Sequence, residues 1–233
     1  MYMARHVHAQ SVHDEVLPTN SDCELFIGGF WGQPVNTATS FAFVVVGAII
    51  LARSAGSRRV LIFGLLAIGT GVGSVISHGP APAWGEIVHD APLVGILAFV
   101  AVDAISDLSK RELTWVWWVI PTVLALAVSE IGEPARIAAQ TSITVLAIGA
   151  SLLRFVKRPA TRRTILTAGL LLGAGALIGT LSRSGMPLCN PDSLLQGHAI
   201  WHVMAAAAIW RLTPVVGTRG AIAALPLRRQ ARD

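Results

Sequence analysis

The chain has 233 residues, of which 53% are hydrophobic and only 13% are charged, and its mean hydropathy is +0.62. This balance excludes an ordinary soluble domain and indicates an integral membrane protein. The net charge of +5 comes from basic residues that are spread over several loops, which argues against a nucleic-acid-binding surface.

Apolar runs follow one another along most of the chain, and a helix needs about 17–25 such residues to cross the hydrocarbon layer. In chain order the runs cover residues 35–52, 60–77, 87–105, 113–129, 137–153, 165–181 and 197–212. The sequence therefore predicts an all-α bundle of seven transmembrane helices within residues 35–212. An arm precedes the bundle at residues 1–34, and a basic tail follows it at residues 213–233.

The distribution of basic residues predicts the orientation of this bundle, because lysine and arginine collect in cytoplasmic loops. With the N-terminus outside, fifteen of the 18 lysines and arginines fall in cytoplasmic loops or in the tail. Only Arg5, Arg136 and Arg183 fall on the other side. We therefore expect the N-terminus outside and the C-terminus in the cytoplasm.

Both cysteines lie on the outer side in this topology. Cys23 is in the arm, and Cys189 is between the sixth and seventh spans. Because a periplasm or a secretory lumen is oxidising, we expect a Cys23–Cys189 disulfide, with two unpaired cysteines as the alternative.

Polar residues at the outer ends of three predicted spans share one depth. They are Ser74 and His78 at the end of the second span, His89 and Asp90 at the start of the third, and His198 and His202 at the start of the seventh. An ionisable side chain within a span costs about 2.5–3.5 kcal/mol on insertion scales, so each needs a partner or a water-filled cavity. We expect these residues to form one site on the extracytoplasmic side.

The histidines in this set predict a zinc centre. His198 and His202 are four residues apart and share a helix face, and His78 completes a three-histidine set that leaves a coordination position for water. Zinc in such a site lowers the pKa of its water toward about 7 and supplies a hydroxide nucleophile.

The remaining polar residues fit hydrolysis of an amide or ester. A carboxylate such as Asp90 can accept the water's proton and pass it to the leaving group, and the Ser74 hydroxyl can donate to the oxyanion. Three other readings stay open: a rhomboid-like serine protease that uses the serine of "GVGS", a heptahelical receptor without hydrolase activity, and a haem-binding membrane protein.

The segments "GSVISH", "HDAP" and "GHAIWH", with "DCEL" in the arm and "VNTATS" at the first span, resemble the alkaline ceramidases. The wider superfamily of seven-span hydrolases also includes adiponectin-receptor-like proteins. The resemblance implies a zinc amidase that cleaves ceramide, a membrane lipid, to a sphingoid base and a free fatty acid. It implies His78, His198 and His202 as ligands, Asp90 as the proton-handling carboxylate and Ser74 beside it. It also implies a disulfide between the arm and the last outer loop.

The chain departs from this family in two places. Where the family has an aspartate, this chain has His89 and Asp90 side by side, so a one-residue offset would exchange their roles and make His89 a ligand or an outer contact. We favour Asp90 because the position requires a carboxylate. The family also binds calcium in the arm; Glu24 matches that site, but Phe26 and Gln33 replace oxygen ligands, so Ca²⁺ at Glu24 is a weak expectation.

Overall fold

The computed structural model describes residues 22–218, and this part of the chain forms seven α-helices and no β-strand. The helices are α1 (Pro34–Ala52), α2 (Arg58–His78), α3 (Gly85–Ser109), α4 (Val116–Ser129), α5 (Glu133–Lys157), α6 (Arg162–Leu181) and α7 (Gly197–Leu212). Each helix overlaps one apolar run of the sequence, so the all-helical prediction is confirmed. The basic tail beyond residue 218 and the arm before residue 22 lie outside the described residues.

Five helices are long and apolar enough to cross a membrane: α1, α2, α3, α5 and α6. This composition indicates an integral membrane protein. Helices α4 and α7 have 14 and 16 residues. At 1.5 Å per residue they are about 21 and 24 Å long, shorter than a hydrocarbon layer of about 30 Å. Seven complete crossings and the orientation of the termini therefore remain predictions.

The polar residues lie on α2, α3 and α7, and these helices either pack against each other or pack against a common neighbour. Helix α1 packs against both α2 and α7, and α3 packs against α2, α4 and α5. Gly73 permits the close approach of α2 and α3, because a Cβ at this position would collide with the backbone carbonyl of Val88. This contact brings the start of α3 beside Ser74.

A disulfide fastens the arm to the loop between α6 and α7. Cys23 and Cys189 are bonded, with their Cα atoms 5.4 Å apart, and the predicted pairing is confirmed. Asp22 forms an antiparallel bridge with Arg183, and the Ser184 hydroxyl donates to the Asp22 carbonyl at 2.9 Å. We refer to this end of the bundle, where α2 ends and α7 begins, as the disulfide end.

The opposite end contains an apolar core and a buried ionic network. Arg154 on α5 donates to Asp103 on α3 at 3.0 Å and pairs with Asp107 at 3.1 Å. It also donates to the Val215 carbonyl, just after α7, at 2.7 Å. Arg59 on α2 reaches the other Asp103 oxygen at 2.8 Å. The network joins three helices and the segment that follows α7.

Candidate metal centre

Three histidines converge at the disulfide end. His78 is the last residue of α2, and His198 and His202 lie in the first turns of α7. Their ring centroids are 4.5–5.0 Å apart, and their potential ligand atoms all lie within 4.8 Å of one another. His78 and His202 are buried, and His198 is partly buried. The predicted convergence is confirmed, and the cluster can hold a metal ion.

Hydrogen-bond acceptors face the Nδ1 atoms of two of these histidines. His78 Nδ1 lies 2.7 Å from Gln33 Oε1 and 3.5 Å from one Asp22 oxygen, while His198 Nδ1 lies 3.3 Å from the other. Because an acceptor requires a donor opposite it, we assign the proton of both neutral rings to Nδ1. The Nε2 atoms of His78 and His198 are then unprotonated, although they lie only 3.2 Å apart.

The third histidine has the same arrangement. His202 Nδ1 lies 3.1 Å from the Thr39 hydroxyl oxygen. That hydroxyl directs its own hydrogen to the Val35 carbonyl at 2.8 Å, so it accepts from the imidazole. We therefore assign the His202 proton to Nδ1 as well, which leaves Nε2 with a free lone pair.

These assignments allow a test of whether a metal ion fits. Unprotonated nitrogens repel one another at 3.2 Å unless a cation lies between them, and the three Nε2 atoms belong to rings held by acceptors on the far side. Nitrogens bound tetrahedrally to one zinc at about 2.0–2.1 Å lie about 3.3–3.4 Å apart. The 3.2 Å between the His78 and His198 nitrogens is close to this spacing, and the potential ligand atoms of all three histidines lie within 4.8 Å. The donor set therefore suits zinc, while the identity of the metal stays a prediction.

Asp22 is the residue that sequence reasoning missed. Its carboxylate contacts two of the three histidines from the arm, and it is held there by the adjacent disulfide at Cys23. Burial raises the pKa of the Asp22 carboxyl, and the nearby His78 acts in the opposite direction. The available signal was its position beside Cys23 in "DCEL", since a disulfide to the last outer loop also draws Asp22 toward α7.

Ser74 lies in the same cluster, as predicted. Its hydroxyl oxygen is 2.8 Å from the Ser40 hydroxyl and 3.3 Å from His202 Nε2. Ser40 donates its own hydrogen to the Asn36 carbonyl at 2.7 Å, so the Ser40–Ser74 bond requires Ser74 as donor. In this arrangement the Ser74 hydrogen points toward Ser40 and away from the imidazole.

The structure places His89 between the histidine cluster and Asp90, whereas the sequence favoured Asp90 as the residue at the cluster. The His89 ring centroid is 6.4 Å from that of His78. The Asp90 oxygens contact His89 Nδ1 at 3.0 Å and the Gln140 amide nitrogen at 2.7 Å. Asp90 thus contacts the cluster through His89. It also lines a cavity of about 450 Å³ between α3, α4 and α5, together with Trp84 and Ile87.

Glu24, the residue that matches the family's calcium site, caps a helix in this structure. Its two oxygens accept from the backbone amides of Val35 and Asn36 at 2.6 and 2.8 Å. A carboxylate at a helix N-terminus satisfies free amides and opposes the positive end of the helix dipole. Within residues 22–218, the three histidines form the only group of three or more His, Cys, Asp or Glu side chains that could hold a metal ion. Calcium at Glu24 stays an untested prediction.

No protein-family model matches the chain, and no curated protein sequence matches it. The resemblance to the alkaline ceramidases therefore rests on the motif residues alone.

Proposed function

We propose that the protein is an intramembrane zinc-dependent hydrolase of lipid amides, with ceramide as the first substrate to test. The observation that carries this proposal is the convergence of three histidines, whose potential ligand atoms lie within 4.8 Å of one another, beside the buried hydroxyl of Ser74. Zinc bound by His78, His198 and His202 would supply a water-derived hydroxide at neutral pH and polarise the amide carbonyl. Hydrolysis adds the elements of water across the C–N bond and gives a carboxylic acid and an amine.

The chain's own residues would position the metal and move the protons. Asp22, Gln33 and Thr39 accept from the outer nitrogens of the ligand rings, which fixes their orientation. The Ser74 hydrogen can turn from Ser40 toward the carbonyl oxygen and stabilise negative charge as it develops there.

His89 and Asp90 are suited to act as a pair. Asp90 holds His89 through Nδ1, so His89 Nε2 is the atom that can take a proton from the nucleophilic water and return it to the leaving nitrogen. Asp90 then has an orienting role, because its second oxygen is held by Gln140. This division of roles differs from the one that the sequence favoured: His89 would contact the reactants and move the proton, and Asp90 would orient His89.

The direct experiment measures free fatty acid and sphingoid base released from ceramide by the purified, zinc-loaded protein. We expect release by the natural protein and none by His202→Ala. Asp90→Ala should abolish release while the bound zinc remains. Arg163→Ala serves as the matched control, because Arg163 is exposed at the far end of the bundle. Full activity in His202→Ala would overturn the proposal.

A serine hydrolase is the second candidate, because Ser74 Oγ lies 3.3 Å from His202 Nε2. A nucleophilic serine normally directs its hydrogen to the histidine that activates it. Ser74 directs it to Ser40 instead, which favours the metal reading. A chelator and the Ser74→Ala variant separate the two candidates. A chelator should inhibit a metal enzyme reversibly. A serine hydrolase would keep its activity in the chelator and lose all activity in Ser74→Ala.

The haem alternative is disfavoured by distance. Two axial histidine nitrogens on opposite sides of one ion lie about 4 Å apart, twice a metal–nitrogen bond of about 2.0 Å. The Nε2 atoms of His78 and His198 lie 3.2 Å apart, which is closer than such a pair. A purified protein with a haem absorption band would contradict this reading.

A further inference from the structure

An apolar loop lies in the arm, directly before α1. Residues 25–31, with the sequence LFIGGFW, contain no charged or hydrogen-bonding side chain except the Trp31 indole. Four of these side chains are strongly exposed: Leu25 by 51%, Ile27 by 70%, Phe30 by 55% and Trp31 by 48%. Exposed apolar side chains at this density mark a surface that something other than water covers.

The loop inverts the pattern of an ordinary surface loop. The two charged residues just before it are buried. Asp22 contacts the histidine cluster, and Glu24 accepts from the backbone amides at the N-terminus of α1. A loop that meets water exposes such charges and hides its aromatic residues. Here the chain does the reverse over consecutive residues.

Backbone contacts give the loop a defined shape. The Ile27 amide donates to the Gly32 carbonyl at 2.8 Å, and Gly28 and Gly29 have positive φ angles of 79° and 71°, which close the turn. The Phe30 and Trp31 rings contact edge to face at 5.1 Å between centroids. The exposed side chains are therefore presented by a fixed turn.

The position of the loop identifies what covers it. Helix α1 packs against α2 and α7, and its remaining face exposes Phe41, Val45 and Ile49, the residues that an integral membrane helix turns to lipid. The loop continues from the end of this lipid-facing helix. The α6–α7 loop, bonded to the arm by the disulfide, also exposes Leu194 by 83% and Leu195 by 80%. Apolar side chains on two separate loops at one end match a lipid layer.

We propose that residues 25–31 insert into the lipid leaflet at the disulfide end, at the boundary between headgroups and acyl chains. Isoleucine, leucine and phenylalanine contribute apolar area there, and tryptophan prefers this depth. The loop is also linked to the candidate metal centre, because the backbone amide of Gln33 donates to the backbone carbonyl of His78 at 2.7 Å. The proposal is independent of the chemistry at the histidines.

The test places an environment-sensitive fluorophore on the loop in reconstituted phosphatidylcholine vesicles. A nitrobenzoxadiazole label is attached to the Ile27→Cys variant, which is specific because the natural cysteines are disulfide-bonded. The matched control carries the label at Asp192→Cys, an exposed polar position in the α6–α7 loop at the same end. Circular dichroism and disulfide content establish that both variants are folded.

We expect the label at position 27 to show a blue-shifted emission, quenching by spin-labelled lipids and protection from aqueous iodide. The label at position 192 should show the opposite. Iodide quenching at position 27 as strong as that of the free label in water would overturn the proposal, because the loop would then lie in water. Protection from both quenchers would also overturn it, since a second copy or another protein would then cover the loop.

Discussion

Asp22 connects the arm to the candidate metal centre. One carboxylate contacts the outer nitrogens of both His78 and His198, at 3.5 and 3.3 Å. Together with the Gln33 contact to His78 at 2.7 Å, these contacts keep the proton on Nδ1 and leave Nε2 as the nitrogen that could bind a metal. A residue outside the helices thus contacts two candidate ligands on different helices.

We expect Asp22→Asn to weaken zinc binding by about 10- to 100-fold, the usual cost of losing an outer partner of a metal-ligating histidine. Competition with a chromogenic chelator measures this affinity. The matched control is Asp192→Asn, at the same end of the bundle, where the side chain is exposed. Equal zinc affinity in the natural protein and Asp22→Asn would show that the Asp22 contacts do not support the site.

The site histidines could be predicted from the sequence, whereas their outer contacts could not. His198 and His202 share a helix face by their spacing, and His78 shares their depth, so periodicity and span boundaries suffice. The roles of Asp22, Thr39 and Ser40 depend on how the arm folds back and how α1 fits between α2 and α7. Those are long-range contacts that no local pattern encodes. The order of His89 and Asp90 likewise depends on the rotation of α3 about its axis.

At the scale of elements, the disulfide holds the arm against α7. It joins two cysteines that are 166 residues apart in sequence, and it lies next to Asp22. Without this bond the arm, the Glu24 cap on α1 and the Asp22 contacts would depend on a few hydrogen bonds.

We expect reduction of the disulfide to lower the stability of the folded protein by about 2–5 kcal/mol. Thermal unfolding in detergent, with and without a reductant, measures the difference. The double variant Cys23→Ser/Cys189→Ser should unfold at the lower temperature in both conditions. A natural protein whose thiols are shown to be reduced but whose unfolding temperature is unchanged would contradict this role.

The ionic network at the opposite end joins α2, α3, α5 and the segment after α7. The predicted fifth span ends at residue 153, but α5 continues to Lys157 and buries Arg154 against Asp103 and Asp107. Helix length beyond the apolar run could not be predicted, because a run ends at its first charge, whether or not that charge finds a partner.

We expect Arg154→Met to destabilise the protein by about 1–3 kcal/mol, because it removes the buried partner that Asp103 and Asp107 share. The loss is limited because Arg59 still pairs with Asp103 and Arg158 with Asp107. Arg163→Met, at an exposed position on α6, is the matched control and should unfold like the natural protein. Thermal unfolding of the three proteins under one condition provides the comparison. Identical unfolding temperatures for Arg154→Met and the control would indicate that the network adds no stability.

At the scale of the whole molecule, the histidine cluster and the ionic network occupy opposite ends of one bundle. The buried cluster of Ile50, Phe63 and Phe99 lies toward the Arg154 end, while the histidines, the disulfide and the apolar loop lie at the other. Composition and the spacing of apolar runs were sufficient to predict a helical membrane bundle. They do not determine whether the short helices α4 and α7 cross the whole layer.

An odd number of crossings places the two termini on opposite sides of the membrane. We expect a green fluorescent protein fused to the C-terminus to fluoresce, and alkaline phosphatase inserted between α4 and α5 to be active outside. The corresponding phosphatase insertion between α3 and α4 should be inactive. An active phosphatase at the C-terminus would contradict the predicted topology and would indicate that one helix does not cross.

The metal content of the purified protein tests the central claim most directly. Elemental analysis of protein extracted without chelators should find one zinc ion per chain, held by the three imidazoles of His78, His198 and His202. His198→Ala and His202→Ala should each lose it while keeping the disulfide and the helical content. A folded natural protein that contains no metal and takes up none from a zinc solution would contradict the account.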